Sequence, residues 1–66
     1  MTANQTGAEL SSLSTALDDL LKRITAIAER HAGTRDDQIA QELFAVERSL
    51  NQAGRRLAKL AESLTQ

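Results

Sequence analysis

One histidine, nine acidic residues, eight basic residues and no cysteine make up the reactive inventory of this 66-residue chain. His31 is followed, across a Gly33-Thr34 break, by Asp36 and Asp37. An imidazole and two carboxylates form a donor set that takes a divalent cation. A recognisable centre asks for more: a second histidine or a thiolate at ligand spacing, or the Glu-x-x-His pairs of a di-iron bundle. The chain has none of these. His31 therefore reads as a basic residue at a helix C-terminus, where positive charge complements the helix dipole, and no metal is expected.

The other reactive groups are scattered. Asp18-Asp19 and Asp36-Asp37 are sequence neighbours, and adjacent helical residues point about 100° apart, so neither pair converges as acid and base. Ser11, Ser12, Ser14, Ser49 and Ser63 have no base placed to activate a hydroxyl. No glycine-rich phosphate loop is present. The expectation is a protein that is not an enzyme, with no catalytic residue and no cofactor.

Charge offers one further chemistry. Arg55, Arg56 and Lys59 are the densest basic group and the candidate polyanion contact. Yet these and Lys22, Arg23, Arg30 and Arg48 are interleaved with Asp18, Asp19, Glu29, Glu47 and Glu62. That is the pattern of a solvated helix surface with pairs such as Asp18–Lys22 and Asp19–Arg23. A formal net charge of −1 places a nucleic-acid-binding regulator second, although a dimer would bring two basic groups together.

What positions these residues is a pair of helices. Leucine and alanine dominate, proline is absent, and strand-forming aromatic and β-branched residues are few. Residues 1–8 carry no apolar period and read as a flexible arm. Leu10, Leu13, Leu17, Leu20, Ile24, Ile27 and His31 then follow a 3-4 spacing, as do Ile39, Leu43, Val46, Leu50, Ala53, Leu57, Leu60 and Leu64. Gly33 suits the left-handed position after a helix, and Thr34 suits the cap of the next. The spacing predicts helices over about 9–32 and 35–65, joined at 33–34 and packed antiparallel. Folding there would pair residues whose numbers add to about 67, leaving Leu60 and Leu64 overhanging.

A hairpin of this size has no staple. With neither disulfide nor thiolate metal site, small domains complete their cores by association. The apolar stripe is also wider than a two-stranded seam, since Leu21, Ala28, Ala40 and Ala61 flank it on one side and Ala16 on the other. The sequence therefore points to an all-α helical hairpin that dimerises into a four-helix bundle, or that pairs with another helical protein. Its expected role is a protein–protein interaction or assembly module. Leu21, Phe44, Ala53, Gly54, Leu57, Leu60, Ala61 and Leu64 are the candidate interface residues. Phe44, off the stripe, reads as a flank residue or, alternatively, as an aromatic anchor. Gly54 sits mid-helix, which close approach of another helix, a slight bend or simple tolerance would account for equally. No apolar run reaches the ~20 residues of a membrane span, and no basic-then-apolar leader opens the chain, so the expected location is the cytoplasm without membrane contact.

Overall fold

The computed structural model describes residues 3–65. Helix α1 spans Ala3–His31 and helix α2 spans Asp37–Thr65, 29 residues each, or about 44 Å at ~1.5 Å per residue. They pack side by side as an antiparallel hairpin, a rod of 50 × 15 × 15 Å.

The connection is a short polar turn. Gly33 has φ +75°, the left-handed conformation that closes α1. The Thr34 hydroxyl donates to the His31 carbonyl at 2.6 Å and accepts the Asp36 amide at 3.1 Å. The Asp37 carboxylate accepts the Gly33 amide at 2.7 Å. Thr34 and Asp37 thus satisfy backbone groups on both sides of the break, an arrangement close to a capping box. Backbone bonds from Asp37 to Thr34 and from Ile39 to Asp36 absorb residues 34–36 into tight turns. For that reason α2 begins at Asp37 rather than near residue 35.

This longer turn resets the register. A Cβ at Gly54 would lie 3.2 Å from Leu17 Cδ2, and the Thr25 hydroxyl donates to Glu47 Oε2 at 2.5 Å. Facing residues therefore have numbers that add to 71 or 72, not 67, and the fold point lies near Arg35 and Asp36. The slip brings the N-terminal part of α1 opposite the end of α2. Residues 3–8, expected as an arm, are helical, and Gly7 is buried at the level of Leu64. The overhang is thereby covered in part by the chain itself: Leu64 is half-buried and neighbouring Ala61 2% exposed, whereas Leu60 stays 51% exposed. Met1 and Thr2 lie outside the described residues.

The seam is also rotated from the expected stripe. Let row a be Leu10, Leu17, Ile24 and His31 in α1, and Leu43, Leu50, Leu57 and Leu64 in α2. Row d, three positions on, is Leu13, Leu20 and Ile27, and in α2 Ile39, Val46, Ala53 and Leu60. Row e, one position after d, is Gly7, Ser14, Leu21 and Ala28, and in α2 Ala40, Glu47, Gly54 and Ala61. Rows a and e close the hairpin, and row d does not. Ala28 and Ala40 are fully buried, Leu21 and Ala61 nearly so, while row a is half-buried throughout. The reason is size. Most of row e is glycine, alanine or serine, which lets the helix axes approach, whereas the leucines and isoleucines of row d would hold them apart. Leu17 of row a, for example, packs over the small Gly54 of row e on the other helix.

Candidate functional site: an apolar face with a basic back

On a helix, row d lies about 60° to one side of row a and row e about 40° to the other. The two helices run antiparallel, so the same offset in each turns both d rows toward one flank of the hairpin. Leu13, Leu20, Ile27, Ile39, Val46 and Leu60 are all 39–57% exposed there. The half-buried leucines of row a form the floor between them. Among the described residues no large side chain is fully buried, and the core proper is Leu21, Ala28, Ala40 and Ala61. More large apolar side chains thus face solvent on this flank than are enclosed by the seam.

The candidate interface residues divide among three places. Leu21, Gly54 and Ala61 lie inside the hairpin seam, already covered by the opposite helix. Ala53 and Leu60 stand exposed on the apolar flank, with Leu57 and Leu64 half-buried beside them. Phe44 is half-buried on the opposite edge of the seam, about 160° around α2 from the row of Val46. Gly54 has its reason in Leu17, whose Cδ2 would lie 3.2 Å from a Cβ placed there. Leu13, Leu20, Ile27, Ile39 and Val46 complete the face. Their heptad recurrence on both helices is visible in the sequence, but it reads there as the hairpin's own seam.

The polar side of the seam carries the Thr25–Glu47 bond, which satisfies a carboxylate that has taken a seam position opposite Ile24. No buried side-chain polar atom among the described residues lacks a partner. At the turn, His31 Nδ1 lies 4.0 Å from Asp36 Oδ2. Asp37 is occupied by Gly33 and by the Gln41 amide at 3.4 Å. His31, Asp36 and Asp37 do not converge, and no group of three or more acidic, histidine or cysteine residues among those described is placed to hold a metal ion. Asp18–Lys22 and Asp19–Arg23 are not closed to ion-pair distance. Exposed pairs gain little in water for the side-chain entropy they give up.

Arg55, Arg56 and Lys59 are exposed on the back of α2, away from the seam. Shallow depressions run along this back, one lined by Arg48, Asn51, Gln52 and Arg55 and the next by Gln52, Arg55, Arg56 and Lys59. Among the described residues, no helix is long and apolar enough to cross a membrane. The chain matches no family profile, no curated protein and no solved structure.

Proposed function

We propose that this chain is a non-enzymatic assembly module whose apolar flank is completed by a second copy, giving a four-helix bundle. The observation that supports this is the exposed row of Leu13, Leu20, Ile27, Ile39, Val46 and Leu60 on one side of the hairpin. Contiguous apolar patches of that kind on small proteins mark interaction surfaces. Register favours a second copy as the occupant. Leu10 and Leu60 stand within about 3 Å of one another's height, as do Leu13 and Leu57, Leu20 and Leu50, and Ile27 and Leu43, so the face is a ladder of slightly staggered layers with one residue from each helix. A two-fold axis along the rod repeats every layer at its own height, so the isologous contact is in register by symmetry. A foreign helix pair would have to match the whole ladder.

Light scattering at micromolar concentration tests the reading. The expected molar mass is twice the 7.2 kDa of the chain. Replacing Leu20 and Val46 together by glutamate, which puts charge in the centre of the face, is expected to return the mass of one chain. A folded 7.2 kDa species in the unsubstituted protein overturns the self-association, and a hetero-bundle then becomes the reading to pursue.

A further inference from the structure

We propose that the back of α2 is a binding site for the phosphodiester backbone of a double-stranded nucleic acid. Residues 48–61 contain four of the eight basic residues, Arg48, Arg55, Arg56 and Lys59, and none of the nine acidic ones. The near-neutral total therefore hides a segment of +4 set against −5 elsewhere. The spacing of Arg48, Gln52, Arg55 and Lys59 is i, i+4, i+7 and i+11, which aligns them on one helix face over about 16 Å. All four are exposed, and the two depressions between them run end to end.

Two features keep this stripe positive. Glu47, the acidic neighbour of Arg48, is drawn away to the seam by its bond to Thr25. None of the four cationic heads forms an ion pair with a described residue. Glu62 marks the stripe's C-terminal limit.

The chemistry of the lining selects the ligand. Guanidinium forks take phosphate oxygens bidentately, and the Gln52 and Asn51 amides add neutral donors. No aromatic side chain lies on the stripe, so stacked single-stranded bases have no platform. What remains is backbone contact, which is sequence-independent and carried by counterion release. No large apolar residue accompanies the cations on this stripe, which disfavours a lipid surface. The stripe points away from the seam; Arg48, Arg55 and Lys59 lie well around the helix from the apolar flank, and Arg56 stands at its edge beside Ala53 and Leu60.

Fluorescence anisotropy with labelled duplex DNA and, in parallel, duplex RNA of mixed sequence tests the site. With up to four phosphates neutralised, the logarithmic salt slope is expected near −3.6, so affinity falls about 150-fold between 50 and 200 mM salt. Each single change Arg48→Gln, Arg55→Gln, Arg56→Gln or Lys59→Gln is expected to lower the slope by roughly 0.9. The pair Lys22→Gln and Arg23→Gln on α1 is expected to leave it in place. Circular dichroism identifies any variant that loses its helices, and the single changes then carry the test. The arm that binds more tightly assigns RNA or DNA as the source. Absence of binding to both duplexes at 20 mM salt overturns the proposal. So does binding unaffected by all four substitutions, or binding to vesicles of anionic lipid without binding to either duplex. None of these outcomes depends on the oligomeric mass, so this site and the apolar face stand or fall separately.

Discussion

Gly33 is the residue at which the fold is most sharply constrained. Its φ of +75° lies in the region where a Cβ meets the following carbonyl. The substitution Gly33→Ala is therefore expected to lower stability by about 1 kcal/mol, with Gly33→Asn intermediate because asparagine tolerates this conformation. Urea unfolding of the three proteins measures the order. No atom lies within 4 Å of the position a Cβ would take at Gly33, so the loss is one of backbone conformation. A loss well above the cost of the left-handed state would show that the turn also makes contacts. This residue's role was legible without coordinates, because a glycine between two apolar periods, followed by threonine and acids, has few other uses. The partner of Asp37 was not. Its bond to the Gly33 amide depends on how many residues the turn consumes, and sequence spacing does not fix that number.

At the scale of the elements, helix existence and pairing follow from periodicity, but the face each helix turns inward does not. Rows d, a and e together span about 100° of apolar or small surface, wider than one seam. Leucines and isoleucines make row d the stronger hydrophobic signal, whereas Gly7, Ser14 and Gly54 in row e carry none. Packing reverses that ranking, because small residues allow the axes to approach. Gly54 tests the point. Alanine there gains about 1 kcal/mol of helix propensity but places a methyl 3.2 Å from Leu17 Cδ2, the far end of a half-buried side chain that can turn aside. The expected result for Gly54→Ala is a change within about 0.5 kcal/mol, since the two effects oppose. Gly54→Val adds branching directly against Leu17 and is expected to destabilise by roughly 1–3 kcal/mol. Denaturant midpoints at fixed protein concentration distinguish the two. Equal stability of both variants would mean that the helices do not approach closely at this level.

For the whole molecule, the expectation of incompleteness came from chain length and the lack of staples, and the exposure of row d gives it a location. The candidate interface residues Leu21, Gly54 and Ala61 fall in the seam because row e, rather than row d, closes the hairpin. If the bundle forms as proposed, its melting temperature rises with protein concentration, since association stabilises only the folded state. Differential scanning fluorimetry over a hundredfold concentration range reads this directly, and an invariant midpoint opposes the bundle. The half-buried row a has a last consequence. Leu17, Leu50 and their row mates close the hairpin with one side of each side chain and floor the apolar flank with the other. Damage to row d can abolish association and leave a hairpin behind. Damage to row a cannot be confined in that way, and a truncation such as Leu50→Ala weakens the fold of the single chain and its capacity to pair at one stroke. Under the proposed assembly, folding and recognition in this protein draw on the same side chains, and selection acting on either is felt by both.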